Sequence, residues 1–398
     1  MERFDHIVIG GGMMGAPCAR YLAEAGARVA LIAPPEPELK SASQGPFGSH
    51  YDAARITRRV AADPDWSLLS RRSIDRYRDL ENRSGLSIFH EAGALMSGPE
   101  DGQMADSFTN RFLAVAEALP RSPLQMGTGD VWERLGLALP SGSIATYEET
   151  QGGWIDPRAM RDAQIKLTRA AGAVVIAHAA TALDHGRVTL ADGTRIEADQ
   201  VTVATGPHAG SDGFLPRSPR MKVWSRTIAF ARLSEDTGAA LAQMPSVIFV
   251  PQGWDHDLYV LPPVRYPDGH LYLKIGGQLD SPRIRSADDM RDWYHGQGDI
   301  TVGERLLQEL SGLLPGIPFK TTNTAPCAVV WTSTGFPYIE RLDDTVTALI
   351  GGNGAAAKCG DELGRLGAMV SMGQEISDEG YVNDFRGAWA SEKATAAD

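Results

Sequence analysis

The pattern of apolar residues at the start of the chain predicts a strand, a tight turn, a helix and a second strand. Residues 6–9 form a short apolar run that ends in a glycine-rich stretch, residues 10–15. Residues 16–25 repeat small and apolar side chains on one face, which is typical of an amphipathic helix. Residues 28–32 follow as a second apolar run after Gly26, a residue suited to end a helix.

Helical and strand-like patterns continue along the rest of the chain. Helical periodicity is found over residues 68–80, 156–171, 288–314 and 356–372. We expect the third of these helices to be broken by its glycines, which are Gly296, Gly298 and Gly303. Strand-like runs occupy residues 174–176, 187–190, 194–196, 201–204, 247–250, 258–261, 271–275 and 347–350. The turn residues 191–193 predict a hairpin, and we expect the Ala-rich end, residues 388–398, to fray.

Composition narrows the class of protein. A chain of 398 residues with 43% hydrophobic residues predicts a globular protein of two domains. A net charge of −12 repels phosphate backbones, so nucleic acid is not an expected partner. Three cysteines are too few for a disulfide framework and fit a reducing compartment. We find neither a signal-peptide pattern nor a run of about 18 apolar residues, and we expect a cytoplasmic protein without membrane association.

The glycine-rich stretch has the spacing of a dinucleotide-binding turn. Gly10, Gly12 and Gly15 form G-x-G-x-x-G between the first strand and the first helix. In such a turn the first glycine makes the bend, the second admits a pyrophosphate and the third lets the helix pack on the strand. The alternative is a glycine-rich turn without a ligand. The acid expected at the end of the second strand is replaced by Ala33, which weakens NAD more than FAD and leaves Glu36 or Glu38 to reach the ribose.

Four further segments carry polar residues in recognisable patterns. They are Ser49-His50-Tyr51-Asp52-Ala53-Ala54-Arg55-Ile56-Thr57-Arg58, Leu271-Tyr272-Leu273-Lys274-Ile275-Gly276, Pro326-Cys327-Ala328 and Gly354-Ala355-Ala356-Ala357-Lys358. Together with the glycine turn they resemble the D-amino-acid-oxidase-like superfamily of FAD-dependent oxidoreductases. The resemblance is closest to the branch of monomeric sarcosine oxidase and N-methyltryptophan oxidase, and it covers nearly the whole chain.

The resemblance assigns the first segment to the flavin and the substrate. It implies that Arg55 lies near the flavin ring and that Arg58 binds the substrate carboxylate, which a guanidinium holds through two parallel hydrogen bonds. The alternative is a solvated basic surface, because Arg59 adjoins Arg58.

The resemblance implies a covalent link between Cys327 and the 8α position of FAD. The alternative is a buried, inert cysteine, the commoner state of free cysteines. Cys18 lies on the predicted first helix and is interpreted as a core residue.

The two lysines have different roles in the related enzymes. Lys274 matches the lysine that activates oxygen, and its alternative is an edge-strand lysine that points to water. Lys358 matches a lysine that helps hold the substrate carboxylate, and its alternative is a lysine at a helix start that faces solvent. One histidine of the family is replaced by Gln278. Another falls on Ala355 before the last helix or is lost, depending on the alignment.

The cofactor contacts that pattern and resemblance predict are spread over the chain. They are Gly10, Gly12, Met13, Met14, Gly15, Glu36, Ser49, His50, Arg55, Val175, Gly206, Cys327, Gly354 and Lys358. No metal site is predicted.

The implied activity is FAD-dependent oxidation of a C–N bond in a small amino acid or an N-alkyl or cyclic amino acid. The product is an imine, and molecular oxygen takes the electrons and becomes hydrogen peroxide. Lys274, Arg58 and Lys358 are the predicted catalytic residues, and Tyr259 is predicted to form one aromatic wall of the substrate site. Val329 and Val330 replace an aromatic residue and a threonine, so we expect a substrate other than sarcosine.

Three other functions remain open from the sequence. One is an amine dehydrogenase of the same fold that passes electrons to a carrier. Another is a catalytically silent flavin-binding protein, and the third is an NAD-dependent enzyme. The relatives suggest a monomer.

The predicted fold class is α/β with two discontinuous domains. A Rossmann-like FAD-binding domain is expected to comprise residues 1–85, 150–218 and 322–385. A substrate domain built on an antiparallel sheet is expected to comprise residues 86–149 and 219–321, with the active site between the two.

Overall fold

The computed structural model describes residues 2–100, 107–279 and 281–390. In the first half of the chain the strands are β1 (Glu2–Ile9), β2 (Val29–Ile32), β3 (Arg55–Thr57), β4 (Phe89–His90), β5 (Ala94–Pro99), β6 (Leu124–Gly127), β7 (Ser143–Glu148), β8 (Gly153–Ile155), β9 (Val174–Ile176) and β10 (Ala180–Asp184). In the second half they are β11 (Arg187–Leu190), β12 (Arg195–Val203), β13 (Met221–Arg232), β14 (Ser246–Phe249), β15 (Leu258–Arg265), β16 (Leu271–Gly277), β17 (Arg283–Ile284), β18 (Thr321–Thr332), β19 (Tyr338–Arg341) and β20 (Val346–Ile350).

The helices alternate with these strands. They are α1 (Gly15–Glu24), α2 (Pro64–Ser84), α3 (Phe108–Ala118), α4 (Thr128–Leu135), α5 (Pro157–Ala170), α6 (Glu235–Ala240), α7 (Ala287–His295), α8 (Ile300–Leu313) and α9 (Ala356–Ser371). Among the described residues, no helix combines the length and the apolar character that crossing a bilayer requires.

The first large sheet is built around β1. Its strands run in the order β10-β11-β12-β1-β2-β9, and β20 joins β12 and carries β19 at its other edge. The pairs of β1 with β2 and β12, of β2 with β9 and of β12 with β20 are parallel. Such strands are buried on both faces, which is why the last three residues of β1 and all of β2 are apolar. Val8 packs towards α1 and α9, whereas Ile7 and Ile9 face the opposite side of the sheet.

The second large sheet is mostly antiparallel. Its order is β17-β13-β16-β15-β14-β5-β7-β6, with β18 paired to β13 along twelve positions. The only parallel pair among its described strands is β14 with β5. One face packs against α8 through Leu306, Leu310 and Leu313, which are almost completely buried. A three-stranded sheet, β3-β8-β4, completes the strands. The predicted fold class, α/β with a Rossmann-like sheet and a second antiparallel sheet, is confirmed.

Two element predictions were wrong in detail. Residues 194–196 and 201–204 were expected to form separate strands, but they belong to one strand, β12, because β1 pairs with it from Ile196 to Val203. The helical pattern over 288–314 breaks between α7 and α8 as expected, yet Gly303 does not break α8. A Cβ at Gly303 would lie 2.2 Å from Thr324 Cγ2, so this glycine allows α8 to lie close against β18.

The division into two discontinuous domains stays a proposal. Its third FAD-binding segment, residues 322–385, contains nearly all of β18, which pairs with β13 of the antiparallel sheet. The segment expected to fray, residues 388–398, lies outside the described residues from 391 onward.

Candidate active site

A cavity of about 680 Å³ is lined by residues of both large sheets. The first sheet contributes the turn after β1, and α9 contributes its first residues. The antiparallel sheet contributes side chains of β13, β15 and β18. Ligand sites in open parallel sheets lie beyond the carboxyl ends of the strands, and this cavity has that position relative to β1.

The turn after β1 has the geometry of a dinucleotide site. Gly10 has φ +109°, and a Cβ there would lie 2.4 Å from the carbonyl oxygen of Ala204. A Cβ at Gly15 would lie 1.9 Å from the carbonyl oxygen of Gly10, so only glycine lets α1 begin so close to the strand. The Cβ direction of Gly12 is open, with His50 Nδ1 at 3.9 Å as its nearest neighbour. These are the three separate roles that the sequence predicts for the three glycines.

Two helices begin at the cavity, and both lack a side-chain cap. α1 follows Met14 and α9 follows Ala355, and neither residue supplies a side-chain hydrogen bond to the first turn. By contrast, α2, α3, α5, α6, α7 and α8 begin after Asp63, Ser107, Asp156, Ser234, Ser286 and Asp299, each of which caps its helix. The free N–H groups and positive dipole ends of α1 and α9 therefore suit phosphate and carboxylate oxygens. The residues present fit a bound dinucleotide.

The predicted ribose and adenine contacts do not all reach this cavity. The carboxylate of Glu36 accepts two hydrogen bonds from Arg158, at 2.6 and 2.8 Å, and Glu36 is not among the lining residues. Glu38 is exposed, and Val175 lies on β9 outside the cavity lining. The predicted contacts Met13, Met14, Gly206 and Gly354 do line it.

Asp52, which the sequence analysis did not single out, joins two of the predicted site cations. Lys274 Nζ donates to Asp52 Oδ2 at 2.7 Å, and Arg55 Nη1 donates to the same oxygen. Tyr266 donates its hydroxyl proton to Asp52 Oδ1 at 2.9 Å. Lys274 is 1% exposed and does not line the cavity, whereas Arg55 does. The alternative of an edge-strand lysine that points to water is therefore wrong.

Asp52, Arg55, Lys274 and Tyr266 form a cluster, here called the Asp52 cluster, whose members have shifted pKa values. Burial lowers the pKa of Lys274 to about 8, against the opposing attraction of Asp52. The adjacent cations Arg55 and Lys274 outweigh burial at Asp52 and hold the pKa of its carboxyl below the usual range. Two cations share one carboxylate, so the cluster carries a net positive charge beside the cavity while Lys274 is protonated.

His50 and Ser49 lie beside this cluster. Both line the cavity, and Arg55 Nη2 donates to the carbonyl oxygen of Ser49 at 2.9 Å. His50 Nε2 is buried without a hydrogen-bond partner in the described part of the chain. Burial, followed by nearby arginines, lowers the pKa of His50 to about 3, so the ring is neutral at physiological pH.

Cys327 lies on β18 directly opposite Arg226 of β13, and both residues line the cavity. The Sγ atom of Cys327 is 3.8 Å from Arg55 Nη2. The sequence analysis missed Arg226, whose guanidinium donates to the carbonyl oxygen of Ser225 at 2.9 Å. Burial lowers the pKa of this guanidinium. Cys18, in contrast, is a core residue as expected, and burial raises its pKa to about 12.

Arg58 and Lys358 line the cavity without an acidic partner among the described residues. The Nε atom of Arg58 is buried and makes no hydrogen bond there. Lys358 is 4% exposed, and its Nζ lies 3.5 Å from both the carbonyl oxygen of Trp66 and the Sγ atom of Cys359. Burial lowers the pKa of both side chains. A helix-start lysine facing solvent is therefore excluded.

Arg59, the residue next to Arg58, has an acidic partner. Arg59 is 6% exposed, and its Nε donates to Glu148 Oε1 at 2.8 Å. The backbone N–H groups of Arg59 and Val60 also donate to this carboxylate. The basic pair Arg58-Arg59 is thus not a solvated surface.

Two carboxylates line the cavity among the described residues, and the sequence analysis named neither. Asp212 accepts a hydrogen bond from Thr205 and another from the backbone N–H of Phe214. Asp257, at the start of β15, makes no side-chain hydrogen bond to another described residue. Tyr259 follows it by two residues and also lines the cavity, as period-two alternation along a strand allows. That spacing from the predicted Tyr259 was a usable signal for Asp257.

The chain matches a family of known proteins. Residues 5–369 match the family model described as FAD dependent oxidoreductase. A monomeric sarcosine oxidase of Streptomyces avermitilis is 30% identical over 175 residues, which are 43% of this chain and 42% of that protein. An N-methyl-L-tryptophan oxidase of Yersinia pestis is 24% identical over 383 residues, covering 93% of this chain and 95% of the relative. The match to the sarcosine oxidase thus spans less than half of either chain.

Solved structures agree in fold. The open form of NikD, described as an unusual amino acid oxidase essential for nikkomycin biosynthesis, has a TM-score of 0.74 at 21% identity and covers 100% of both chains. Iminodiacetate oxidase from Chelativorans sp. BNC1 has a TM-score of 0.67 at 21% identity and covers 93% of this chain and 95% of its own. These likenesses show the fold, and the match over residues 5–369 shows that the chain belongs to the FAD dependent oxidoreductase family and is an FAD-dependent enzyme.

Proposed function

We propose that this enzyme oxidises the C–N bond of an amine-bearing carboxylate to an imine and passes the electrons to molecular oxygen. The observation that carries the proposal is the pair Arg58 and Lys358, which both line the cavity without an ion pair in the described chain. Lys358 is 4% exposed, and Arg58 is half-buried with its Nε atom fully buried. A buried charge is costly unless an opposite charge compensates it. A substrate carboxylate supplies that compensation.

The two cations come from different elements, and this fixes the orientation of the bound anion. Arg58 directly follows β3, and Lys358 lies in the first turn of α9. Converging donors restrict the carboxylate to one placement, which brings the adjacent carbon to a defined position. When bound, FAD supplies the redox chemistry by accepting two electrons from the substrate. The named relatives act on sarcosine and N-methyl-L-tryptophan, both of which are amine-bearing carboxylates.

The walls of the cavity support a substrate larger than sarcosine. Val329, Val330 and Trp331 line it on β18, and Tyr259 lines it on β15. A mostly apolar surface with an aromatic side chain at each wall suits an N-alkyl, cyclic or aromatic amino acid.

The proposal includes a covalent link between Cys327 and FAD. Cys327 lines the cavity and is half-buried, and Arg55 Nη2 lies 3.8 Å from its Sγ atom. Acid precipitation tests this: a covalent flavin stays with the protein, and Cys327→Ser releases it. Release of all flavin from the wild-type enzyme would contradict the link.

Oxygen is the proposed electron acceptor because the Asp52 cluster, which comprises Asp52, Arg55, Lys274 and Tyr266, carries a net positive charge beside the cavity. Positive charge stabilises the negative charge that develops as oxygen is reduced. A second candidate is a dehydrogenase that passes electrons to a carrier. It is favoured by one observation, that Lys274 is paired with Asp52 and does not itself line the cavity.

The proposal extends to a cytoplasmic monomer, supported by the sparse cysteines and by the monomeric state that the name of one relative states. Light scattering on the purified enzyme tests the oligomeric state. A dimer mass would contradict this part of the proposal.

The deciding experiment is an anaerobic absorbance titration of the purified flavoprotein. Amine-bearing carboxylates are added one at a time, including sarcosine, N-methyl-L-tryptophan and proline, and air is admitted afterwards. Bleaching of the flavin by one compound followed by rapid recovery in air is the expected result. Slow recovery in air with rapid recovery on adding an artificial electron carrier selects the dehydrogenase. No bleaching by any amine-bearing carboxylate would overturn the proposal.

A further inference from the structure

The cavity contains a carboxylate that the proposed function has not used. Asp257 lies at the start of β15 and lines the cavity together with Arg58. Its side chain makes no ion pair within 4.0 Å and no hydrogen bond to another residue in ranges 2–100, 107–279 and 281–390. The other lining carboxylate, Asp212, is already occupied by Thr205 and Phe214.

Asp257 is only half-buried, and its carboxylate is available to a ligand in the cavity. Burial raises the pKa of Asp257, whereas the positive charge of Arg58 opposes that rise. Arg58 and His256 are the titratable or charged groups that act on it from neighbouring positions. Removal of a carboxylate from water costs free energy that a cationic ligand returns.

The charged side chains that line the cavity indicate which cationic group Asp257 binds. An amino acid carries a carboxylate and an ammonium group on neighbouring positions. Arg58 and Lys358 attract the carboxylate but repel the ammonium, and after one substrate carboxylate is bound they still leave one positive charge in excess. Asp257 supplies a negative charge that attracts the ammonium against this excess. We propose that Asp257 binds the ammonium nitrogen of the substrate and accepts its proton, an inference that rests on the proposed oxidation of an amine-bearing carboxylate.

The proton transfer is balanced within the bound pair. One N–H bond of the substrate ammonium breaks, one O–H bond forms on Asp257, and the charges on both groups disappear together. The resulting amine has a free lone pair on nitrogen, which the formation of a C=N bond requires. No further reactant takes part in this step.

The test separates recognition of nitrogen from recognition of the carboxylate. Flavin difference spectra measure the dissociation constants of paired ligands that differ in one atom: sarcosine with methoxyacetate, and proline with tetrahydrofuran-2-carboxylate. The amine of each pair has a nitrogen where its partner has an ether oxygen. Measurements use the anaerobic holoenzyme, and thermal unfolding checks that each variant is folded.

Asp257→Asn is expected to weaken binding of the amine of each pair by about tenfold or more, because it removes the charge but keeps the shape. Binding of the ether acids is expected to stay equal or to tighten. Asp257→Glu is expected to restore part of the discrimination, and Arg58→Gln is expected to weaken all four ligands.

Two outcomes would overturn the inference in distinguishable ways. Equal effects of Asp257→Asn on the amine and ether ligands would show that Asp257 does not recognise nitrogen, and the proposed function would stand. Failure of the wild-type enzyme both to bind any of the carboxylates and to be reduced by any amine would overturn the proposed function itself, and the inference would fall with it. If Asp257→Asn does not fold, Asp257→Glu supplies the same comparison through a changed ratio of amine to ether affinity.

Discussion

Two pairs of cations lie in or beside the same cavity, and they differ in what neutralises them. Arg55 and Lys274 share the carboxylate of Asp52, so the chain supplies its own counter-charge. Arg58 and Lys358 have no acidic partner in the described chain. The first group is a permanent electrostatic feature of the fold, whereas in the proposed function the second is completed by the substrate carboxylate. Under that proposal, the difference separates residues that tune the site from residues that bind its ligand.

The same contrast separates two adjacent residues. Arg58 lines the cavity, whereas Arg59 does not line it and forms an ion pair with Glu148. Arg59 is therefore a structural arginine, and Arg58 is the one available to a ligand.

The largest expected effect comes from Arg58→Gln. The ratio of the flavin reduction rate to the substrate dissociation constant should fall about 100- to 1,000-fold, since losing one partner of a desolvated charge pair costs about 3–4 kcal/mol. Anaerobic stopped-flow absorbance with the best amine substrate measures it.

Arg59→Gln is the matched control for that change. It leaves Glu148 buried without its cation, so the free energy of unfolding should fall by about 3 kcal/mol. The reduction rate per folded, flavin-loaded enzyme should stay near that of the wild type. If the two substitutions lowered the reduction rate equally, the division between a ligand-binding Arg58 and a structural Arg59 would be wrong.

The sequence predicted local backbone geometry better than it predicted which distant side chains form ion pairs. The close approach of Gly15 to Gly10 arises within one strand–turn–helix unit, so the spacing was enough to predict it. The close neighbour of Gly10, in contrast, is Ala204 after β12, which the local sequence does not indicate. The partner of Arg59 lies 89 residues away and that of Lys274 lies 222 residues away, and neither pairing has a local signal. The resemblance supplied the identity of Lys274 but not the salt bridge with Asp52.

The sequence also could not predict where the structure departs from the expected pattern. Glu36, which with Glu38 was a candidate to reach the ribose, is paired with Arg158 on α5, and only the folded arrangement brings the two together. Gly303 was expected to break a helix because an isolated glycine lowers helix propensity. Tertiary packing against Thr324 overrides that propensity.

Lys274→Met tests the role of Lys274, which shares the carboxylate of Asp52 with Arg55. Reoxidation of the reduced flavin by oxygen should slow by about 100-fold, a loss typical of removing one preorganised electrostatic group. Anaerobic reduction by substrate should change much less. Equal losses in both half-reactions would show that Lys274 acts on the site as a whole and not on the oxygen step.

Lys358→Met tests the second member of the ligand-binding pair. Because Arg58 remains, the substrate dissociation constant should rise only about tenfold, as expected for one charge-assisted hydrogen bond. Titration of the anaerobic enzyme with an unreactive carboxylate measures this. A loss as large as that of Arg58→Gln would mean that the two cations act as one inseparable unit.

The smallest expected effect is a pH dependence of flavin reoxidation that follows the titration of Lys274. Burial lowers the pKa of Lys274 to about 8, so its positive charge is present below that pH and is lost as the pH rises. The rate of reoxidation by oxygen should therefore fall about twofold between pH 7 and pH 8 and continue to fall above it, whereas Lys274→Arg keeps its charge and should show no such decline. Asp52→Asn removes the carboxylate that raises this pKa and should move the decline to lower pH. Rapid reoxidation that is independent of pH from 6 to 10 in the wild-type enzyme would separate oxygen reactivity from Lys274, and the net charge of the Asp52 cluster would lose its place in the proposed function.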